Sequence, residues 1–177
     1  MEIRKGKLII GKAGGTASAG SKTYKVSLPS NWVKSMNLDE DSRDLDMFFD
    51  GNSIVIRKNM TGEEFYQTYV DLGHDMHLYR YYDGEELQTT IYADFTDRRI
   101  KVTNHSECFI TTAFGNNTNP GWEDFFDFLE DRCIPRERDG IDYYLSVIGV
   151  DEYDPLEIIR KTKGRMAEDN QWIEEVT

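Results

Sequence analysis

The 177-residue sequence has only two cysteines and no long apolar run, and both shortages exclude classes of protein. Cys108 and Cys133 are too few for a disulfide framework, so we expect reduced thiols. No apolar stretch approaches the roughly 18–20 residues of a membrane-spanning helix, and the first residues lack the apolar stretch of a signal peptide. We therefore expect a soluble, cytoplasmic protein with no membrane partner.

Charge is distributed unevenly along the sequence. Residues 1–37 carry seven basic and one acidic side chain, whereas residues 59–177 carry 11 basic and 26 acidic, a net charge of −15. Sequence-independent affinity for nucleic acid comes from lysine and arginine neutralising phosphates, so only the N-terminal part is suited to nucleic acid. The acidic remainder is suited either to keeping the protein in solution or to binding a basic partner.

The first 58 residues have the pattern of a small β-rich module. Two pairs of short runs with period two predict two hairpins, and a run with helical spacing lies between them. The predicted strands cover residues 7–11, 23–28, 45–49 and 54–57, and the predicted helix covers residues 30–36. The second turn, Asp50-Gly51-Asn52, is a strong hairpin signal because Gly accepts the positive φ that such turns require.

Residues 59–177 are predicted as a separate acidic domain. Thr61 and Glu64 have the spacing of a capping box, which predicts that a helix begins there. Period-two runs follow, and then segments with helical spacing. The predicted strands cover residues 76–82, 87–96 and 99–104, and the predicted helices begin near Pro120, Arg138 and Pro155, with residues 165–172 helical as well. The fold class is therefore α+β, a β-rich module followed by an antiparallel three-strand meander packed with C-terminal helices.

The glycine-rich stretch at residues 15–22 resembles a phosphate-binding loop at first sight. The order Ser21-Lys22 is the reverse of what such a loop needs, and a predicted strand follows where a helix is required. The pattern therefore favours a flexible hairpin tip flanked by lysines, which can follow a phosphate backbone without reading its sequence.

Two groups of residues have the chemistry of zinc ligands or catalytic bases. Asp71, His74 and His77 form one group, and His105 with Cys108 forms the other, but neither closes a tetrahedral site. No motif locates a nucleophile or a metal, so we expect neither enzyme activity nor catalytic residues, and no metal or cofactor. An RNA-acting enzyme with His105 or His77 as the base is the remaining alternative.

Residues 122–131 interleave aromatic and acidic side chains almost all round a predicted helix. One face must belong to the core, and the excess predicts an acidic-aromatic patch suited to a basic partner. The residues of this predicted partner-binding patch are Asp124, Phe125, Asp127, Phe128 and Asp131. The alternative is full burial of the aromatic side chains between the sheet and the other helices.

The segments 22–29, 31–34 and 45–57 resemble an AbrB/SpoVT/MazE-type swapped-hairpin domain, over residues 5–58. In that family two chains interleave hairpins into a dimeric β-barrel that binds DNA. The resemblance implies a homodimer and a nucleic-acid interface built from lysines. These are Lys7, Lys12, Lys22, Lys25 and Lys34. The long Gly-rich insertion before Thr23 departs from the family pattern.

The acidic part is similar to proteins carried by Gram-positive phages, plasmids and integrative elements. The segments that carry this similarity are residues 112–117, 122–125, 149–159 and 164–172. Together with the N-terminal module, the whole chain resembles type II-A anti-CRISPR inhibitors. That resemblance implies a CRISPR effector nuclease with its guide RNA as the partner, in the cytoplasm of a bacterial host. The nucleic-acid channels of such effectors are positively charged.

The leading hypothesis is an anti-CRISPR-type inhibitor that places its basic hairpin toward the guide RNA and its acidic domain toward a basic protein surface. The alternative is an AbrB-like DNA-binding transcriptional regulator of a mobile element, acting through residues 1–58. Both hypotheses predict a protein that works by binding other macromolecules.

Overall fold

The computed structural model of the protein describes residues 2–14, 18, 20–49 and 51–176. Half of the predicted Gly-rich tip, residues 15–17 and 19, lies outside the described residues, as does Asp50 of the second predicted turn. The chain divides into two compact units, Met1–Asn59 and Met60–Thr177, called here the N-terminal unit and the acidic unit. Helices and antiparallel strands together confirm an α+β protein. No helix within the described ranges is long and apolar enough to cross a bilayer.

The N-terminal unit consists of two antiparallel hairpins with a short helix between them. Its elements are β1 (Ile9–Lys12), β2 (Lys22–Lys25), α1 (Ser30–Ser35), β3 (Leu45–Phe49) and β4 (Ile54–Lys58). The first hairpin is shorter than predicted, because pairing ends at Ile9↔Lys25 and residues 26–28 have no strand opposite them. Gly51 has φ +93°, the conformation that the predicted turn required of it.

Among its described residues, the N-terminal unit has none that is buried. Each hairpin forms its own two-stranded sheet, and a two-stranded sheet is marginally stable by itself in water. The apolar side chains of the strands consequently remain accessible, with Met47 73% and Phe49 71% exposed.

The acidic unit is built on a four-stranded antiparallel sheet. After α2 (Gly62–Asp71), the strands β5 (Met76–Asp83), β6 (Glu86–Asp94) and β7 (Arg99–Asn104) form the predicted meander. A fourth strand, β8 (Gln171–Val176), pairs antiparallel with β5 and gives the order β7-β6-β5-β8.

The prediction of a helix over residues 165–172 is wrong, because residues 165–170 are irregular and residues 171–172 begin the strand β8. Successive side chains of a strand point to opposite faces of the sheet. Accordingly, Ile173 is buried in the core, whereas its neighbours Trp172 and Glu174 are only partly buried. Ile173 lies opposite Tyr81, more than 90 residues earlier in the chain, so its partner strand supplies the burial that the local sequence does not reveal.

The helices of the acidic unit begin and end at capping residues. They are α2 together with α3 (Trp122–Asp131), α4 (Ile141–Ile148) and α5 (Pro155–Thr162). Thr61 and Glu64 form the predicted capping box, Asp154 accepts a hydrogen bond from Leu156 N at 3.0 Å, and Gly149 ends α4 with φ +73°. The helix α3 begins at Trp122, because Asp124 accepts a hydrogen bond from Gly121 N at 2.6 Å.

The core lies between one face of the sheet and the helices α3 to α5. Its completely buried side chains are Tyr79, Ile91, Phe125, Leu129, Ile158, Ile159 and Ile173. The helix α2 packs against β6 on the opposite face, where Tyr92 alternates with Ile91. Gly62 allows this contact, because a Cβ atom there would lie 1.9 Å from the Tyr92 ring.

The buried side chain of Arg132 joins the end of α3 to the start of β8. Its guanidinium donates hydrogen bonds to Gly164 O at 3.0 and 2.8 Å and to Gln171 O at 2.8 Å. It also forms two hydrogen bonds with the Asp169 carboxylate, which hold the pKa of Asp169 below its usual range. The positive charge of the guanidinium is therefore paired with a carboxylate, and its N–H groups have hydrogen-bond acceptors.

Replacing Arg132 with Met should destabilise the acidic unit by about 1–3 kcal/mol, because the carbonyls of Gly164 and Gln171 lose their donor, whereas the partly exposed Asp169 carboxylate can be hydrated instead. Urea unfolding followed by tryptophan fluorescence measures the loss. Arg138→Met is the matched control, because Arg138 is exposed, and it should change stability by less than about 0.5 kcal/mol. Equal stabilities of the two variants would contradict the role of Arg132.

Candidate nucleic-acid interface

The first hairpin brings two of the predicted lysines together. Lys12 and Lys22 are directly opposite each other in the β1–β2 register, so both side chains project from one face. Ile10 and Tyr24 form the neighbouring pair on that face, two residues along each strand. All four side chains are exposed. We call these residues the Lys12–Lys22 face.

The other three predicted lysines lie elsewhere in the unit. Lys25 is opposite Ile9 and projects from the reverse face of the hairpin. Lys7 precedes β1, and Lys34 lies in the last turn of α1. All five lysines are exposed, and none forms an ion pair with another described residue. The structure therefore places Lys12 next to Lys22 on one face, and the other three lysines lie away from that pair.

Tyr24 is a candidate interface residue that the lysine-based prediction missed. It shares a face with Lys22 because the two positions are two residues apart in a strand, and this spacing was visible in the sequence. Lysines neutralise phosphates, whereas an exposed aromatic ring stacks on a base without distinguishing sequence. The Lys12–Lys22 face thus combines the two contacts that sequence-independent binding uses.

The single carboxylate within residues 1–37, Glu2, is engaged at α1. It accepts hydrogen bonds from Trp32 Nε1 at 2.9 Å and from Arg4 Nε at 2.8 Å. The hydrogen bond from Trp32 is the main reason that the pKa of Glu2 lies below its usual range. No described carboxylate of this stretch therefore neutralises the lysines of the hairpin.

The second hairpin presents an apolar face. Met47 lies opposite Ile56, and Phe49 lies opposite Ile54, so the four side chains project from the same side. Leu45 continues that side at the start of β3. We call these five residues the apolar face of the second hairpin, and no described residue of the N-terminal unit buries it.

The predicted zinc motif Asp71, His74 and His77 is not assembled into one site. His74 Nδ1 lies 2.9 Å from Asp94 Oδ2, whereas His77 contacts Glu175 and Asp75. Asp71 instead accepts a hydrogen bond from Gln67 at 2.7 Å. The three side chains have separate partners, so the spacing in the sequence does not correspond to a shared ligand.

A different group, His74, Asp94 and Asp97, brings its ligand atoms within 4.8 Å of one another. Arg99 already supplies a cation there, since its Nε donates to Asp94 at 2.9 Å and its Nη2 lies 3.0 Å from Asp97. The guanidinium also lies 3.8 Å from the centroid of the Tyr69 ring. This arrangement is a structural ion-pair network that joins α2 to the sheet.

The completely buried Asp94 carboxylate is ionised within this network. Burial raises its pKa, but the contacts with His74, Asp97 N and Arg99 outweigh burial and lower the pKa below its usual value. Because the folded pKa is below the unfolded value of about 3.9, the stabilisation is fully present above that pH. It is lost as the pH falls through the folded value.

Asp94→Asn should therefore lower the stability at pH 7 and reduce its dependence on pH. Below about pH 3.9, the unfolded pKa, wild-type stability should fall more steeply than that of the variant, with a difference of up to one proton in the slope. Urea unfolding at closely spaced pH values measures both slopes. Asp97→Asn, whose carboxylate is half-exposed, is the control and should keep most of the wild-type slope.

The residues of the enzyme alternative have structural partners. His105 Nε2 lies 2.8 Å from the Thr90 hydroxyl, and the Asn104 side chain accepts a hydrogen bond from Thr89 at 3.0 Å. Cys108 is exposed, whereas Cys133 is buried, and this burial raises the pKa of the Cys133 thiol to about 12. A thiol with that pKa stays protonated at neutral pH and is a poor nucleophile.

The predicted acidic-aromatic patch on α3 is wrong in its aromatic part. Phe125 is 0% and Phe128 9% exposed, because both pack into the core against Tyr79 and Tyr81. Asp124 caps the start of α3 and accepts a further hydrogen bond from Asn117 at 3.1 Å.

Two other carboxylates of the predicted patch, Asp127 and Asp131, remain exposed on α3. They offer charge to a partner, while the aromatic anchors that accompanied them in the prediction lie in the core.

Comparisons with known proteins give no relative on which to base a function. No protein-family model, no curated protein and no solved structure matches the chain.

Proposed function

We propose that the protein binds nucleic acid through a dimer of its N-terminal unit, without reading base sequence. The observation that carries this proposal is the Lys12–Lys22 face, where two opposed lysines and Tyr24 are exposed together. The proposal shares the dimer and the N-terminal unit with the AbrB-like alternative drawn from the sequence, which was a DNA-binding transcriptional regulator.

The dimer is supported by the exposed apolar side chains of the N-terminal unit. A hairpin that leaves Met47, Phe49 and Ile54 in water gains little from folding by itself. A second copy of the unit, placed on the apolar face of the second hairpin, would bury those side chains and leave the lysines of the first hairpin free. The resemblance to swapped-hairpin domains also implies a dimer, in which two chains interleave their hairpins into a β-barrel.

The preference for nucleic acid is supported by the local charge. The lysines lie in the stretch with seven basic residues and one acidic residue, and Glu2 is bound to Trp32 and Arg4. Lysine contacts to phosphates release counterions, so such binding weakens steeply with salt. The described residues of the Lys12–Lys22 face include no Asn, Gln or Arg side chain for bidentate contacts with base edges, which supports binding without sequence preference.

Lys12→Gln combined with Lys22→Gln should weaken binding of duplex DNA by the full-length protein. The slope of log affinity against log salt should fall by about 0.9 for each phosphate that the variant no longer neutralises. Anisotropy titrations with a labelled duplex at several salt concentrations measure both quantities. Sedimentation of the same complexes should show two chains per duplex site.

Two control variants separate charge from stacking. Arg138→Gln with Lys161→Gln removes two exposed cations from the acidic unit and should leave affinity and slope unchanged. Tyr24→Ser should weaken binding of single-stranded probes without changing the slope, because stacking releases no counterions. Failure of the wild-type protein to bind any duplex would reject the proposed nucleic-acid function.

A second candidate function is inhibition of a CRISPR effector nuclease, as the anti-CRISPR resemblance implies. The net charge of −15 in the acidic unit favours this candidate, because a strongly acidic surface complements a channel that normally holds a polyanion. The basic N-terminal unit would then contact the guide RNA.

The inhibitor hypothesis predicts that full-length protein co-purifies with an effector–guide complex and reduces cleavage of target DNA. Pull-down and cleavage assays across several type II effectors measure both effects, and the association should weaken as salt rises. Absence of association with every effector would reject the hypothesis. Guide RNA that is cut by wild-type protein but not by His105→Ala would instead support the enzyme alternative.

A further inference from the structure

The outward face of α4 carries two large apolar side chains. Tyr143 is 77% and Val147 65% exposed, and their spacing of four residues places them side by side on the helix. The opposite face is held by Leu145, which is buried, and by Ile141 and Ile148, which pack against the core. Packing of these three side chains therefore fixes the orientation of α4, and Tyr143 and Val147 face the solvent.

An acidic depression begins where α4 ends. It is lined by residues 149–154 and Glu157, and four of its side chains are carboxylates. Asp154 caps α5 and Glu157 pairs with Arg160 at 2.6 Å, whereas Asp151 and Glu152 form no side-chain hydrogen bond or ion pair with any described residue. The negative end of the α4 dipole points toward the same place.

The apolar pair and the depression adjoin each other in the chain, since Val147 is two residues before Gly149. We propose that this surface, Tyr143 and Val147 with the depression at residues 149–157, docks a basic amphipathic segment of a protein partner. Apolar side chains of the segment would cover Tyr143 and Val147, and its lysines or arginines would enter the depression. This inference deepens the second function proposed above, because it assigns a surface to the protein partner.

The negative charge of this surface favours a basic segment as its partner. The depression has four acidic and no basic side chains of its own, and it stays net negative beside its two basic neighbours, Arg160, which pairs with Glu157, and Arg136, which lies over the Tyr153 ring. The surface therefore repels nucleic acid and also a second copy of itself. A purely polar cation would leave Tyr143 and Val147 uncovered. Tyrosine is among the residues that contribute most to protein interfaces, because its ring provides a large contact area with little entropy to lose.

The test uses full-length protein and a synthetic amphipathic peptide built from leucine and lysine, with two counterparts in which Gln replaces Lys or Ser replaces Leu. Nuclear magnetic resonance titration should place the shift changes on residues 141–157. Tyr143→Ser with Val147→Ser should weaken peptide binding about tenfold, as should Asp151→Asn with Glu152→Gln. Both counterpart peptides should bind at least about tenfold more weakly than the parent.

Matched controls remove equivalent groups elsewhere in the acidic unit. Leu72→Ser with Ile110→Ser removes two exposed apolar side chains, and Glu85→Gln with Glu86→Gln removes two exposed carboxylates at the turn between β5 and β6. Both control variants should bind the peptide as the wild type does. If they weaken binding as much as the α4 variants, or if the shifts fall outside residues 141–157, the docking site is overturned.

The effector assay separates the docking site from the function on which it rests. An effector that co-purifies equally with the wild type and with Tyr143→Ser/Val147→Ser overturns the docking site and leaves the inhibitor hypothesis standing. Peptide binding at α4 without association with any effector supports the docking site and rejects that hypothesis. Loss of effector association in the α4 variants alone supports both.

Discussion

The acidic unit depends on the buried guanidinium of Arg132, which fixes the C-terminal strand β8 to the helices. Its hydrogen bonds to Gly164, Asp169 and Gln171 position the chain just before β8, and β8 then pairs with β5. Because β8 is an edge strand, it pairs with β5 alone and has no strand on its other side to hold it. The ion pair at its start fixes it instead and keeps Ile173 in the core.

The N-terminal unit has no comparable interaction among its described residues. Its main tertiary contact joins Glu2 to Trp32 on α1, and both residues are accessible to solvent. Exposed ion pairs and hydrogen bonds contribute little to stability, so this contact cannot replace a hydrophobic core. Burial of these apolar side chains would therefore stabilise the unit, and the dimer proposed above would provide it.

Features that depend on neighbouring residues could be predicted from the sequence, whereas features that depend on distant residues could not. The capping box at Thr61 and the start of α5 at Pro155 follow from local backbone chemistry, and both are confirmed. The strand β8 was missed because its partner β5 lies more than 90 residues away. The lysines were visible as candidates, but only the strand register shows that Lys12 and Lys22 share a face and that Lys25 does not.

The helices α3 and α4 show why composition alone mislocates a binding surface. The helix α3 has apolar side chains nearly all round and contacts both α5 and β7, so Phe125 and Phe128 are covered. Among the described elements, α5 is the one that α4 contacts extensively, so the outer side chains of α4 are exposed to water. A helix at the periphery of a unit exposes apolar side chains that a central helix would bury. Exposed aromatic residues are therefore informative about binding only after the position of their helix in the fold is known.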